Sequence, residues 1–233
     1  MKSNSEIFRD DADSFFERNV RNENTILAEQ LLNILPKNVL KSFDVAEFGC
    51  GSSHNLFLLK NFVRKVHGFD ISMKSVNYFR KLFSGISEEK CAVFHSNLCL
   101  PFDFPIIYDL ILLGWFTYYA SNDELCGLKR NIDNALNDKG YLFINDFIIR
   151  DSLREKKDTH NDKLRIYKRN ITFWIKFFSN YDLVDFRLYD CGIFEEDKLS
   201  DDYSKVNTKL TQNDEGWIFT ALFRKNKSCD ICI

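Results

Sequence analysis

The chain has 233 residues and a net charge of −2, and 45% of its residues are hydrophobic. This size and apolar content predict one domain with a large buried core, and the near-neutral charge disfavours nucleic acid and anionic membranes as partners. No apolar run approaches the ~18 residues that a membrane span needs. The acidic N-terminus lacks the basic and apolar regions of a signal peptide, so a cytoplasmic protein is expected.

The seven cysteines are scattered along the chain, mostly within apolar runs. We expect them to be reduced residues of the core, as is usual for a cytoplasmic protein. Cys229 and Cys232 form a lone CxxC pair at the end of the chain, with no second pair to complete a metal site. A frayed, disordered tail over residues 226–233 is therefore expected there, and no bound metal.

Helical periodicity predicts an N-terminal helical cap over residues 1–38. Short apolar runs then alternate with helical patterns, which is typical of a right-handed parallel sheet covered by helices. Ser72 and Ser121 are expected to cap two of these helices, with Glu124 completing a capping box. The predicted elements are strands at 43–48, 65–70, 91–95, 108–113 and 141–147, and helices at 53–63, 73–83 and 121–136.

The alternation stops after residue 147. Residues 148–180 join a charged segment to an aromatic one, and they are predicted to form an insertion or lid, partly strand, over the carboxyl edge of the sheet. Two more strands are expected at 182–190 and 216–224, with a polar loop at 195–214 between them. The expected fold is a single α/β domain over residues 1–233, with a Rossmann-like, doubly wound, seven-stranded, mostly parallel sheet, N-terminal helices and a substrate-side insertion.

A glycine-spaced turn follows the first strand and reads EFGCGSS from Glu47. Gly49 and Gly51 lack a Cβ, so the backbone can turn sharply there and approach a ligand closely. A dinucleotide site would require a third glycine at position 54, where His54 stands, and its phosphate would be repelled by Glu47. The turn therefore favours a ligand that has a cationic part.

This pattern resembles the acid-x-glycine-x-glycine-x-glycine motif of class I S-adenosylmethionine (SAM) dependent methyltransferases, with Ser53 in place of the third glycine. The resemblance implies SAM as the cofactor and S-adenosylhomocysteine as its product. Glu47 would then interact with the amino-acid end of SAM, and the glycines would face its methionine and ribose portions. Asp70, which ends the second strand, would accept hydrogen bonds from both ribose hydroxyls, with Ile71 near the adenine.

The resemblance extends to the third and fourth strands. Asn97 would bond the adenine amino group through its side-chain oxygen, and the backbone N–H of Leu98 would contact the ring. Gly114 opens an aromatic stretch that, in this family, closes over SAM and meets the substrate. The predicted cofactor-binding residues are Arg18, Glu47, Gly49, Cys50, Gly51, His54, Asp70, Ile71, Asn97, Leu98 and Gly114.

A narrower likeness covers residues 7–19, 114–119, 145–147 and 160–168. These stretches look like one group of small bacterial methyltransferases, often encoded beside surface-glycan and sialic-acid-like sugar genes. That likeness implies a role in polysaccharide biosynthesis, with an oxygen of a sugar or sugar nucleotide as the methyl acceptor.

Candidates for the substrate chemistry lie where the insertion meets the carboxyl edge of the sheet. Asp146, His160 and Tyr167 are the predicted catalytic residues, and His160 titrates near pH 7 as a general base for an alcohol should. A solvated loop position is the alternative for His160. The cationic run of the insertion, which includes Lys156 and Lys168, suits an anionic small molecule such as a nucleotide sugar, and a solvated charged face is the alternative. The predicted substrate-binding residues are Asn19, Trp115, Tyr118 and Lys168.

Two other functions stay open. Methyl transfer to nitrogen of a peptide or natural product needs no general base, and the altered third glycine permits a SAM-binding partner subunit without catalysis. A nucleic-acid methyltransferase is disfavoured, because the charge balance is acidic and no N/D-P-P-Y/F motif follows the fourth strand. We expect a small-molecule acceptor, and either a monomer or a homodimer.

Overall fold

The computed structural model describes residues 3–20, 25–149, 153–158, 161–190, 193–198 and 217–226. A short 3₁₀ turn (Thr117–Tyr119) follows the fourth strand. The helices are α1 (Asn4–Asn19), α2 (Ile26–Ile34), α3 (Lys37–Leu40), α4 (His54–Leu59), α5 (Met73–Leu82), α6 (Asn122–Ala135) and α7 (Ile171–Phe177). The strands are β1 (Asp44–Phe48), β2 (Lys65–Asp70), β3 (Cys91–His95), β4 (Tyr108–Gly114), β5 (Leu136–Phe147), β6 (Leu153–Lys157), β7 (Arg165–Arg169), β8 (Tyr181–Asp190), β9 (Ile193–Lys198) and β10 (Trp217–Lys225).

Eight strands of the described chain form one sheet, in the order β3-β2-β1-β4-β5-β10-β8-β9. The pairs from β3 to β5 are parallel, and β10 runs antiparallel to both β5 and β8. The first seven strands of this order are the seven that the sequence predicts. This confirms the Rossmann-like, mostly parallel, doubly wound sheet.

β9 is a departure from the sequence-based expectation. It pairs antiparallel with β8 at the edge of the sheet, so the prediction of a loop from residue 195 is wrong for residues 195–198. The segment has the sequence IFEEDK. Because four of its six residues are charged, a prediction based on apolar runs does not identify it as a strand. Charged residues are common on edge strands, because they discourage pairing with further chains.

The core consists of two apolar layers, one on each face of the sheet. On one face Val45 and Leu112 pack with residues of α2 and α4, such as Leu31 and Leu56. On the other face the apolar residues of α6 and α7 cover the sheet, including the fully buried Trp174. The strands β1 and β4 are buried almost throughout, because helices cover both of their faces.

The predicted helix caps are present. The Ser72 hydroxyl accepts a hydrogen bond from the backbone N–H of Ser75 at the start of α5. Ser121 and Glu124 form the predicted capping box of α6. α2 begins after Thr25, which makes no side-chain cap hydrogen bond.

The segment predicted as an insertion has two parts. β6 and β7 pair antiparallel as a separate two-stranded ribbon, whereas α7 packs against the main sheet through Trp174. The last described residue, Asn226, donates its backbone N–H to the carbonyl of Asn180 at 3.1 Å, and the rest of the predicted tail lies outside the described residues. Within the described ranges, no helix has the length and apolar character needed to cross a membrane.

Candidate functional site

The turn after β1 adopts a conformation that explains its glycines. Gly49 and Gly51 have φ angles of 75° and 48°, in the left-handed region that favours glycine. A Cβ on Gly49 would also lie 2.7 Å from the ring of Phe116, whereas a Cβ on Gly51 would meet open space. Ser53, in the place of the third glycine, takes φ of 61°, so the substitution keeps the path of the backbone.

Asp70 lies directly beside this turn, at the end of β2. Its Oδ2 accepts the backbone N–H of Gly51 at 2.8 Å, and its Oδ1 accepts that of Ser72 at 2.8 Å. Burial raises the pKa of Asp70, and these hydrogen bonds oppose that rise. Each oxygen keeps a further lone pair, so the carboxylate can accept hydrogen bonds from two neighbouring hydroxyl groups.

Glu47 lies behind the turn and is only 3% exposed. Its Oε1 accepts a hydrogen bond from the Asn55 side chain at 2.9 Å, and its Oε2 has no hydrogen-bond partner among the described residues. Burial raises the pKa of Glu47 to about 8. A cationic ligand group nearby would favour the ionised form of this acid.

A cavity of about 710 Å³ opens from the turn. Its volume falls in the range of small-molecule sites, and it extends across the carboxyl ends of the central strands, where α/β sheets bind ligands. Residues of α1 and of the β6–β7 ribbon line the side of the cavity opposite to the sheet. The predicted site residues that line it are Arg18, Asn19, Gly49, Gly51, Asp70, Ile71, Asn97, Leu98, Gly114, Trp115, Tyr118 and Lys168.

Asn97 and Leu98 line the same end of the cavity as Asp70. The Oδ1 of Asn97 already accepts the backbone N–H of Cys99 at 3.1 Å, which fixes the amide. Its second lone pair can accept a ligand amino group. Nearby, the His95 ring bonds the carbonyl oxygen of Ile71 at 2.9 Å and holds the loop after β2 against β3.

The other end of the cavity is aromatic. Phe8 and Phe15 of α1 contact the ring of Tyr119, with centroids 4.9 and 5.8 Å away. Tyr118 packs edge-on against Phe147 at 5.2 Å. These five rings, which line the cavity from three parts of the chain, give it an apolar wall against which a ligand ring can pack.

Trp115 is fixed at the junction of the two ends. Its backbone takes φ of 51°, its N–H donates to the Asn145 carbonyl at 3.1 Å, and its indole N–H donates to the Asn145 side chain. Asn145 is buried and donates in turn to Gln30 of α2 at 2.8 Å. The indole therefore has one orientation, although the side chain remains 38% exposed.

The 3₁₀ turn that bears Tyr118 and Tyr119 is held by a buried arginine. Arg169 of β7 is fully buried and donates to the carbonyl of Ala120 at 2.6 Å and to the side chain of Asn122 at 3.0 Å. Burial lowers the pKa of Arg169 to about 10. The guanidinium thus satisfies backbone carbonyls of the turn that would otherwise be buried without partners.

α1 closes the cavity through contacts at both of its ends. The Asn4 side chain donates to the carbonyls of Tyr119 and Arg165, and accepts the backbone N–H of Arg165 at 2.9 Å. Near the other end, Asp13 accepts from the Ser72 hydroxyl at 2.6 Å and from the Lys74 backbone at 3.1 Å. The N-terminal helix is therefore bonded to both the ribbon and α5.

Of the three predicted catalytic residues, the two that the structure describes, Asp146 and Tyr167, do not line the cavity. Asp146 is 1% exposed and does not line the cavity; its oxygens accept from the Thr117 hydroxyl and from the Phe147 backbone N–H, and burial raises its pKa to about 6. Tyr167 lies on the face of β7 opposite to its cavity-lining neighbours, because side chains alternate along a strand. His160 lies outside the described residues.

Three predicted cofactor contacts, Glu47, Cys50 and His54, also do not line the cavity. The Cys50 side chain packs into the core, where its sulfur would be 2.8 Å from a Cβ placed on Gly68. His54 begins α4 and its ring lies near Tyr78, with centroids 6.0 Å apart. No group of three or more His, Cys, Asp or Glu side chains in the described ranges is arranged to hold a metal.

Sequence reasoning missed one charged residue that the ribbon contributes to the cavity, Asp158, and it predicted Lys156 as part of the cationic run. Lys156 and Asp158 line it beside the predicted Lys168. Asp158 is 9% exposed; its Oδ2 accepts from the Tyr119 hydroxyl at 3.0 Å and its Oδ1 accepts the backbone N–H of Asn161 at 2.9 Å. In the sequence Asp158 stands among many charged residues, and only the alternation of the ribbon's faces distinguishes those that reach the cavity.

No family model matches the chain, and no curated protein sequence matches it. Solved structures do. The 1,6-didemethyltoxoflavin-N1-methyltransferase of Burkholderia thailandensis, with bound 1,6-didemethyltoxoflavin and S-adenosylhomocysteine, has a TM-score of 0.69 and 12% identity, over 94% of this chain and 88% of that one. The N-methyltransferase NodS of Bradyrhizobium japonicum, in complex with S-adenosylhomocysteine, has a TM-score of 0.59 and 12% identity, over 91% and 97%.

A third structure, StiE O-MT, has a TM-score of 0.59 and 20% identity, over 87% of this chain and 74% of that one. Methyltransferases of nitrogen and of oxygen are thus both among the similar structures. Structural similarity at sequence identities of 12–20% shows that these proteins share a fold. The chain has the fold of the class I SAM-dependent methyltransferases.

Proposed function

We propose that the chain is a SAM-dependent methyltransferase that acts on a small polar acceptor. The cavity supports this proposal best, because it joins the glycine turn and Asp70 to the aromatic and charged end in one space. Methyl transfer requires the acceptor atom to be in line with the sulfonium methyl group, and much of the rate acceleration comes from holding the two in that alignment. The similar structures solved with S-adenosylhomocysteine support the choice of cofactor.

In this proposal the cofactor occupies the end of the cavity beside the turn. Asp70 accepts hydrogen bonds from the ribose hydroxyls, Asn97 and Leu98 contact the adenine, and Glu47 faces the ammonium group from behind the turn. Two observations fit SAM at this end of the cavity. The Oε2 of Glu47 has no hydrogen-bond partner among the described residues, and a Cβ on Gly51 would meet open space. Bound SAM supplies an electrophilic methyl group on a positively charged sulfur.

The proposed acceptor atom is an oxygen of a sugar or sugar nucleotide. The narrower resemblance to glycan-associated methyltransferases supports this choice, and Lys156 and Lys168 can face a phosphate or carboxylate of such an acceptor. Aromatic rings such as Tyr118 and Phe147 can pack against the apolar face of a sugar ring.

A second candidate is N-methylation of a peptide or natural product. The aromatic end of the cavity favours it, because Phe8, Phe15 and Tyr119 offer a surface on which a planar heterocycle can stack. The toxoflavin-type N-methyltransferase among the similar structures also supports it.

Methyl-labelled SAM tests both candidates. Purified protein is incubated with sugar nucleotides and with a size-fractionated extract of the source cells, and labelled products are identified by mass spectrometry. We expect label in the small anionic fraction, on oxygen. Label on nitrogen of a heterocycle would favour the second candidate, and SAM binding without transfer would favour a non-catalytic partner subunit.

Asp70→Ala is the matched variant for the cofactor assignment. We expect at least a tenfold loss of SAM affinity by calorimetry, because two hydroxyl groups would lose a charged acceptor. Asp109→Ala serves as the control, because it removes a carboxylate near the start of β4, at the edge of the sheet opposite to the cavity. Unchanged SAM affinity in Asp70→Ala would contradict the ribose assignment.

A further inference from the structure

We propose that Asp158 is a catalytic residue of this site, which binds the acceptor's O–H or N–H group and takes its proton as the methyl group is transferred. This inference rests on the proposed function, and it assigns the base that methylation of an alcohol requires. It starts from the acidic groups of the cavity. Among the described residues, the carboxylates that line it are those of Asp70 and Asp158.

These two carboxylates belong to opposite ends of the cavity. Asp70 is held by Gly51 and Ser72 at the glycine turn, which is the cofactor end. Asp158 follows β6 and bonds Tyr119 of the aromatic end, so it lies beside the proposed acceptor. The acceptor end therefore has one carboxylate from the described residues, and it comes from the ribbon.

The surroundings of Asp158 fix its orientation. The Tyr119 hydroxyl donates to Oδ2 at 3.0 Å, the Asn161 backbone donates to Oδ1 at 2.9 Å, and the Asp158 backbone N–H donates to the Leu164 carbonyl at 3.0 Å. A carboxylate oxygen accepts more than one hydrogen bond, so an acceptor group can share an oxygen with one of these partners. A fixed, largely buried acceptor of protons is the arrangement that general-base catalysis needs.

Tyr118 extends this network into the cavity. Its ring lies 4.3 Å from that of Tyr119, and burial, together with a hydrogen bond to Tyr119, raises the pKa of Tyr118 well above its ordinary value. Tyr119 in turn donates to Asp158. The two tyrosines therefore stay neutral and orient the carboxylate, and neither competes with it as the base.

The cavity face of the ribbon also has positive charge. Lys156, Ile166 and Lys168 line the cavity, and alternation along the paired strands places them on one face of the ribbon. Ammonium groups on the same wall as one carboxylate suit an acceptor that has both an anionic group and a nearby hydroxyl or amine. The ribbon would bind the anion through the lysines and the nucleophile through Asp158.

The chemical step balances without a further reactant. A bond forms between the acceptor oxygen and the methyl carbon as the bond from that carbon to sulfur breaks. The electron pair of the broken bond stays on sulfur, and the sulfonium becomes a neutral thioether. The acceptor proton moves to a carboxylate oxygen of Asp158 and leaves to solvent after product release.

Asp158→Asn tests the proposal, because the amide oxygen can still accept the Asn161 N–H and the amide NH₂ can donate to the Tyr119 hydroxyl, but the amide takes no proton. The probes are methyl-labelled SAM with UDP-glucose and with the small-molecule fraction of a source-cell extract. We expect methyl transfer to fall at least ~100-fold, which is the lower range for loss of a general base, with SAM affinity unchanged.

Two variants separate catalysis from folding. Asp162→Asn removes the same charge from an exposed position in the ribbon turn and should leave transfer within about twofold. Tyr119→Phe removes the bond that orients Asp158 and should cost less than Asp158→Asn. Equal transfer by wild type and Asp158→Asn would overturn the assignment of Asp158 alone. Absence of transfer by the wild type would overturn the proposed function, and the role of Asp158 with it.

Discussion

At the scale of single residues, Glu47 is the group through which the affinity for the proposed cofactor would depend on pH. Its side chain is 3% exposed, one oxygen has no partner among the described residues, and burial raises its pKa to about 8. The carboxyl group is therefore mainly protonated near pH 7 when no cation is nearby. An α-ammonium group, whose pKa is ~7.7–8.0, would favour the ionised carboxylate instead.

We therefore expect SAM binding at pH 6.5 to release close to one proton from Glu47, because the free acid is protonated and the bound one is ionised. Calorimetry in buffers of different ionisation enthalpy measures this release as the slope of heat against buffer enthalpy. Glu47→Gln should lower SAM affinity and abolish most of the slope, and Glu89→Gln, at an exposed position, should change neither. A slope that persists in Glu47→Gln would refute the proposed contact.

At the scale of elements, α1 is the wall of the cavity that depends most on specific polar contacts. Asp13 accepts hydrogen bonds from Ser72 and from the backbone N–H of Lys74, so a residue of α1 contributes to the N-terminus of α5. The hydrogen bond from Ser72 is the largest reason why the pKa of Asp13 is lowered. This stabilising contact is present above the ordinary pKa of aspartate and is lost as the pH falls through the lowered value.

Asp13→Ala should loosen α1 while the sheet stays folded. We expect a loss of ~0.5–2 kcal/mol in the free energy of unfolding, which is typical of a lost cap, and faster amide exchange over residues 4–19. SAM affinity should fall several-fold because Arg18 and Asn19 line the cavity from the same helix. Asp10→Ala, at an exposed position on α1, is the control. Exchange that stays slow in Asp13→Ala would mean that α1 is held by its other contacts.

The elements also show what could be predicted from the sequence. Local patterns were sufficient for the central sheet, because apolar runs, turns and caps such as Ser72 are encoded within a few residues of where they act. β9 was missed because pairing with β8, and not an apolar pattern, makes it a strand. The cofactor end of the cavity could also be predicted from local patterns, because Gly51 and Asp70 lie at the ends of two adjacent strands.

The acceptor end could not be predicted in this way. It depends on which face of β7 lines the cavity. Both faces of this strand carry charged side chains, so the sequence does not indicate which face that is. Lys168 reaches the cavity and Tyr167 does not, although they are adjacent. Asp158 and Tyr119 meet across 39 residues of sequence, and Asp146 is occupied by a hydroxyl from Thr117 that no local motif indicates.

At the scale of the whole molecule, buried titratable groups make stability depend on pH in opposite directions. His67 is 5% exposed, its ring bonds the Tyr108 hydroxyl at 2.8 Å, and burial lowers its pKa to about 4. Its contribution is present above the ordinary histidine pKa and is lost as the pH falls toward 4. Burial raises the pKa values of Glu47 and Asp146, so their contributions are lost as the pH rises through 4–8.

We expect wild type to lose stability relative to His67→Gln as the pH falls from 6.5 to 4, by on the order of 3 kcal/mol, because the unfolded histidine binds a proton that the folded one does not. Urea unfolding at half-unit pH steps gives this difference directly. Parallel pH curves for wild type and His67→Gln would show that His67 is not the group responsible.

The contacts of Asn4 have a consequence for how the molecule is made. This side chain bonds the backbone at Tyr119 and at Arg165, which is 161 residues further along the chain. During synthesis, the contacts of α1 with the ribbon therefore cannot form until residue 165 has emerged. Until then Phe8 and Phe15 have no aromatic wall to pack on, and the growing chain exposes them to chaperones and to other nascent chains.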